Sequence, residues 1–272
     1  MPVRRMAKRW IPPVMLERLK PLLGRSIYFS GRHESWNAAS ARAIGYESER
    51  ILERVKQAAL KVKRGEAAYE RDSVAFEKIE HSYPVLAGLL RTALDSESRL
   101  SVLDFGGSLG SSYQQCRGFL SVLRTLKWGI VEQEHFVRCG RELFADEQLQ
   151  FFFTLSECVR EIAPNVALLS SVLQYLPNPQ RVLDELANCD IPYLVIDRTP
   201  FSTHGRDYVT VQHVPPSIYP ADYPCWIFAR KPFLARLLAR YDVLAEFDSN
   251  DGAASAGGLR FQFGGMIVRK RY

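Results

Sequence analysis

Apolar and polar positions change rhythm once along the chain, near residue 98. Before that point apolar residues recur at helical spacing. In "SERILERVKQAALKVKRG", Ile51, Leu52, Val55, Ala58, Ala59 and Val62 share a face, and Gly65 closes the run. "DSVAFEKIEHSYPVLAGLLRTAL" is a second helical region, which Pro84 kinks or breaks. Beyond residue 98, short apolar bursts alternate with helical stretches. The strand candidates are Leu100–Asp104, Trp128–Glu132, Leu149–Phe153, Val166–Ser170 and Tyr193–Asp197, with helices over Ser111–Leu126, His135–Asp146 and Pro179–Asn188. This alternation predicts a parallel, doubly wound sheet. The ending differs: "YDVLAEFDS" and "RFQFGGMIVRKR" are strands separated only by "NDGAASAGG", too little for a crossover helix, so they pair antiparallel. The expected fold is α/β and Rossmann-like: a mostly parallel seven-stranded sheet with an antiparallel last strand, preceded by a helical N-terminal region. The expected division is a leader at 1–26, a helical cap at 27–98 and the sheet domain at 99–272.

Composition adds bounds. The 272 residues are 47% apolar and 24% charged, enough to bury a large core without disulfides. The net charge of +6 sits wholly in residues 1–25, where seven Lys and Arg face only Glu17, and the remainder is balanced. A basic leader on a neutral domain argues against nucleic acid, which needs a basic face on the fold itself. Cys116, Cys139, Cys158, Cys189 and Cys225 form no C-x-x-C pair and are odd in number. They fit neither a metal site nor a disulfide framework and point to a reducing cytoplasm. No run is apolar enough to span a bilayer. The leader can dock as a short helix on its own domain, the reading we favour. The alternative is peripheral contact of residues 1–25 with an anionic surface at the inner face of the membrane.

The richest chemistry lies in "SVLDFGGSLGSSYQQ", Ser101 to Gln115, a strand running into a glycine turn and then a helix. Such turns hold nucleotide-like cofactors beyond the carboxyl ends of parallel strands. The nicotinamide fingerprint fails because Phe105 stands where its first glycine belongs, and the phosphate loop fails for want of a lysine. What remains resembles methyltransferase motif I: Asp104, Gly106 and Gly110 match, Gly107 is an extra glycine, and Ser108 replaces the middle one. An acidic residue here suits the ammonium-bearing end of S-adenosylmethionine (SAM). Glu132 ends the next strand, where a carboxylate can accept both ribose hydroxyls, with Gln133 beside it. "NVALLSSVLQYLPNPQRVLDEL" resembles the methyltransferase segment after strand four, with Ser170, Ser171 and Gln174 at the cofactor mouth and Tyr175 close behind. Over residues 99–200 the chain resembles class I SAM-dependent methyltransferases. Asn165 and Thr154–Glu157 depart from that class, lacking its usual acids.

The resemblance extends further. "SW" at 35–36, "YERDS" at 69–73, "WGIVEQEHFV", "SSVLQYLPNP", "IDRTPF" and "YPCWIF" together resemble a methyltransferase family encoded near bacterial surface-polysaccharide genes. It implies methylation of an O-antigen, capsule or related glycan precursor, and brings no assigned catalytic residue. Past the fifth strand, "VIDRTPFSTHGRDYVTVQHVPPSIYPADYPCWIF" reads as a long polar and aromatic loop without a metal motif. Methyl transfer to a hydroxyl or amine needs a base near neutral pKa. His213 is the first candidate and His204 the second, with Asp197 as orienter or substitute base. Arg71 can reach a cofactor carboxylate or pair on the surface. Two further readings stay open: a non-catalytic methyltransferase-like scaffold in a glycan-assembly complex, and, against the glycine spacing, a nicotinamide-dependent sugar enzyme.

Overall fold

A computed structural model describes residues 27–43, 48–216, 218–219 and 221–271. The basic leader lies outside the described residues. The chain runs β1 (Tyr28–His33), α1 (Trp36–Ser40), α2 (Ser48–Lys63), β2 (Tyr69–Arg71), β3 (Val74–Phe76), α3 (Tyr83–Leu94) and β4 (Arg99–Phe105). It continues through α4 (Ser111–Leu120), β5 (Thr125–Val131), α5 (Glu134–Leu143), β6 (Leu149–Phe152), α6 (Leu155–Ile162) and β7 (Val166–Ser170). A 3-10 turn at Leu173–Tyr175 precedes α7 (Pro179–Asn188), β8 (Tyr193–Ser202), β9 (Tyr208–Val214) and β10 (Ala221–Ala229). Then follow α8 (Arg230–Leu238), β11 (Tyr241–Ala256) and β12 (Leu259–Lys270).

The core of the sheet has the order β6-β5-β4-β7-β8-β12-β11. The first five strands are parallel, β12 is antiparallel to β8, and β11 is antiparallel to β12. Strand order reverses between β4 and β7, because β5 and β6 wind outward on one side and β7 and β8 on the other. Alternate strand residues bury on opposite faces. Val102, Trp128, Leu168 and Val195 pack with α2–α5, while Leu103, Val131, Leu169 and Ile196 pack with α6–α8. This is an α/β, Rossmann-like fold, with a mostly parallel core that ends in an antiparallel strand pair. No helix among the described residues is long and apolar enough to cross a membrane.

Four expectations are corrected. The sheet has ten strands rather than seven. The segment 198–229, read as a loop, is mostly strand: β8 runs on to Ser202, and β9 and β10 form a seven-pair antiparallel ladder that β1 extends. The alternation of Tyr208, Thr210 and Gln212 with Val209, Val211 and His213 carries that strand signal, hidden by the flanking prolines. Residues 27–98 are not all helix, since β1 joins the main sheet and β2–β3 is a hairpin inside "YERDSVAF". Pro84 does not kink a helix but stands in the first turn of α3, where its missing N–H costs nothing. Two helices, α6 and α8, went unread; Thr154 caps α6 by accepting from the Glu157 N–H at 3.1 Å.

β8 positions the site. Its first half pairs with β7 as far as Asp197, and its end pairs with β10 at Phe201 and Ser202. The β10-β9-β1 panel therefore continues the sheet past the end of β7 and stands as a wall over the carboxyl edge.

Candidate active site

A cleft of about 1600 Å³ opens at the carboxyl edge of β4, β5, β7 and β8. At its floor is the β4–α4 turn. Gly106 has φ 75°, and a Cβ there would overlap the Val172 side chain. A Cβ on Gly107 would lie 2.5 Å from the Asp104 carboxyl. These two glycines leave bare backbone facing the cleft. Ser108 also adopts a left-handed conformation, φ 56°, so it takes up the geometry for which the usual middle glycine is suited. Gly110, φ 99°, opens α4 but does not line the cleft.

Asp104 is not where the motif reading put it. Strand alternation turns it to the helical face beneath Gly107, where it is 1% exposed and accepts from the Trp128 indole at 3.0 Å. Burial pushes its carboxyl up to about 7. It braces the glycine turn from below rather than facing a ligand.

Glu132 does line the cleft, one strand over, with Gln133 beside it. Burial raises its pKa against the backbone N–H groups of Gln133, at 2.6 Å, and Ser108. That second contact ties the glycine turn to the end of β5. Phe153, Thr154, Leu155 and Ser156 continue this wall, and the Arg141 guanidinium lies 4.5 Å from the Phe153 ring centre.

Ser170 and Ser171 reach the cleft from β7. Gln174 does not: fully buried in the 3-10 turn, it donates to the Arg198 carbonyl at 3.0 Å and to Ser171 Oγ at 3.2 Å. Tyr175, next in sequence, faces the cleft and donates to Gln212 Oε1 at 3.0 Å. Gln212 in turn donates to the Tyr223 hydroxyl at 3.1 Å, and Tyr219 closes the aromatic group.

The three candidate bases separate. Gln212 and Val214 line the cleft, so the alternation of β9 sends His213 to the other face. There its ring contacts Asp222 Oδ1 at 2.8 Å and Ser30 Oγ at 2.6 Å and stacks on Tyr28. His204 is likewise off the cleft, beside Arg32 and Arg206. Asp197 alone of the three lines it, 3% exposed, with Oδ2 accepting from Ser82 Oγ at 3.3 Å. Burial raises its pKa more than the neighbouring Arg198 lowers it.

Several lining residues lay in motifs noted in the sequence, "YERDS" and "IDRTPF", but only Arg71 and Asp197 had roles assigned there. The β2–β3 hairpin brings Glu70, buried and bonded to Ser111 Oγ and the Ser73 N–H, and burial pushes its carboxyl up to about 7. Arg198, at φ 52°, pairs with Asp72 at 2.7 Å and Asp251 at 2.8 Å. One side chain thus ties the hairpin, β8 and the far end of β11 together over the cleft. Arg71 lines the cleft but is paired with Glu80 at 3.2 Å.

No protein-family model matches the chain, and no curated protein matches it. Similar solved structures include the N-terminal domain of EvdMO1, in the presence of SAH and D-fucose. It has 16% identity, covers 83% of this chain and 98% of its own, and has a TM-score of 0.46. CalS10, an amino pentose methyltransferase from Micromonospora echinaspora with SAM bound, has 11% identity, covers 78% and 96%, and scores 0.45. The Burkholderia thailandensis 1,6-didemethyltoxoflavin-N1-methyltransferase has 11% identity, covers 85% and 93%, and scores 0.43.

Proposed function

We propose that this chain is a SAM-dependent methyltransferase acting on a hydroxyl or amine of a small-molecule acceptor. The sequence resemblance makes that acceptor a surface-polysaccharide precursor. The observation that carries the reading is the pairing of a side-chain-free turn at Gly106–Gly107 with Glu132 at the adjacent strand end, both facing one cleft. These residues fit the cofactor. Bare backbone admits its body closely, and the Glu132 carboxylate can accept two ribose hydroxyls. Phe153, Leu155 and Ser156 flank the next strand end, where a base would lie, and Ser170 and Ser171 border the amino-acid end.

When bound, SAM supplies an electrophilic methyl group. The rest falls to this chain. Tyr175, Gln212 and Tyr223 hold the acceptor at the opposite end of the cleft. Asp197, the one of the three candidate bases that lines the cleft, receives the acceptor's proton. The Arg198 clamp keeps the covering segments in place and limits water. In this reading residues 99–272 carry the cofactor end and residues 27–98 the cap. The protein works in the cytoplasm, and contact of residues 1–25 with the inner face of the membrane is the alternative to their docking on the domain.

Calorimetry with SAM and S-adenosylhomocysteine (SAH) tests the reading, which expects both to bind. Absence of heat from either at millimolar concentration overturns it. The scaffold alternative draws on the placement of both histidines off the cleft. It expects cofactor-independent partner recovery that is lost with residues 1–25.

A further inference from the structure

We propose that Asp197, with Ser82 beside it, is the seat of an ammonium group in a ligand of this cleft. The inference rests on the transferase reading and adds the ligand chemistry that the reading leaves open. Asp197 Oδ2 has Ser82, but Oδ1 is buried without a hydrogen-bond partner, in a side chain only 3% exposed that lines the cleft. A buried carboxylate oxygen left without a donor is costly, and such orphans mark places where a partner arrives.

The protein brings the Arg198 backbone N–H near this carboxyl but no charged donor. The guanidinium of Arg198, next in the chain, is committed to Asp72 and Asp251. A metal ion does not suit the place, since no group of three His, Cys, Asp or Glu among the described residues could hold one. A donor carried by an organic ligand fits the place. Its charge follows from the walls. Among the described lining residues acidic side chains outnumber arginines eight to three. Each of the three arginines is already paired: Arg71 with Glu80, Arg181 with Glu185, and Arg198 with its two aspartates. Such a field concentrates cations and repels phosphate. Ser73 Oγ and His81 Nδ1, also buried on this cleft without partners, offer further polar contacts to the same ligand.

An ammonium can come from two sources, the amino-acid end of the cofactor or an amine on the acceptor. Two matched probe pairs separate them. SAH and 5′-methylthioadenosine differ by the amino-acid end. Glucosamine and N-acetylglucosamine differ by the charge on nitrogen. Binding of the first pair is measured by calorimetry, and of the second by saturation-transfer NMR with and without SAH, for wild type, Asp197→Asn and Ser82→Ala. The expected result is a loss of about tenfold or more in Asp197→Asn for one ammonium-bearing probe, with its uncharged counterpart unchanged. Ser82→Ala shows a smaller loss of the same kind. Loss with SAH assigns the cofactor end, and loss with glucosamine the acceptor. Unchanged affinity for both charged probes in a variant folded by circular dichroism overturns the seat, as does equal loss for both members of a pair. If wild type binds neither adenosine compound but holds glucosamine through Asp197, the transferase reading falls and the seat stands. Binding of none of the four overturns both.

Discussion

The two ends of the cleft are built by different means. On the proposed reading the cofactor end is chiefly main chain, a glycine turn and the ends of β4, β5 and β6, with the Glu132 side chain beside it. The acceptor end is side chain: Asp72, Tyr175, Arg198, Gln212 and Asp251, drawn from five separated segments. Main-chain geometry is dictated locally, by which residue tolerates a given φ, so it varies little with the ligand. A wall of side chains on a strand ladder is free to change one residue at a time. The first end therefore fits a common cofactor, and the second sets which acceptor enters.

The largest expected effect breaks the first end. In Gly106→Ala the left-handed φ costs about 1–2 kcal/mol, before the overlap with Val172 is counted. SAH affinity should fall about a hundredfold by calorimetry, with acceptor binding to the free protein unchanged. Adding Val172→Ala removes the steric part and should return some affinity, a cycle that separates crowding from dihedral strain. Glu132→Gln comes next. Losing a charged acceptor of ribose hydroxyls costs about 1.5–3 kcal/mol, so SAH should weaken roughly ten- to hundredfold. An unchanged Kd would move the ribose elsewhere.

At the second end, Arg198→Ala releases the β2–β3 hairpin and the end of β11 from each other. Its partner Asp72 is half exposed, so the stability cost is modest. The expected signature is a several-fold rise in acceptor KM, faster hydrogen exchange in residues 69–76 and 249–256, and an SAH Kd within about twofold of wild type. Equal damage to both ligands would show that the two ends are not separable.

This contrast also explains what the sequence disclosed. Gly106, Gly107, Ser108, Glu132 and Gln133 were readable because each follows a strand within a few residues, and all five line the cleft. Asp104 was readable as a motif member but not in its role, since nothing local says that Trp128 on the next strand claims its carboxylate. Gln174 and Tyr175 show the same limit: adjacent residues of one turn, of which one is buried in a backbone contact and the other faces the ligand. The acceptor wall was least readable. Its strands were hidden among prolines, and Glu70, Asp72 and Asp251 reach the cleft only through long-range packing.

Asp104 offers a smaller effect, on stability alone. Its folded pKa of about 7 lies above the ordinary value of 3.8, because burial favours the neutral form. Between pH 4 and pH 7 the folded state holds a proton that the unfolded state has released. Its contribution is thus full below about pH 4 and is lost as pH rises to about 7. Asp104→Asn stays neutral and keeps an oxygen for the Trp128 N–H. The variant's Tm should gain on wild type through that window and hold its lead above it. A constant difference would mean that Asp104 is ionised throughout.

His213 carries the smallest expected effect on catalysis and the sharpest consequence for the comparison. By residue type it was the natural base, a histidine beyond the fifth strand with an aspartate nearby. The antiparallel ladder places it opposite Asp222 and Tyr28, on the face turned from the cleft, and Ser30 takes its other nitrogen. Its contacts join β1, β9 and β10, so its work is to hold the panel that carries Gln212. His213→Ala should cost about 1–2 kcal/mol of stability, read as a lowered denaturant midpoint. Below the transition, kcat and its pH profile should stay as in wild type, with at most a twofold rise in acceptor KM from a looser Gln212. A large fall in kcat with SAH binding intact, or loss of the acidic limb of the pH profile, would reverse the assignment. The acceptor would then lie on the outer face of the panel, and the cleft would hold the cofactor alone.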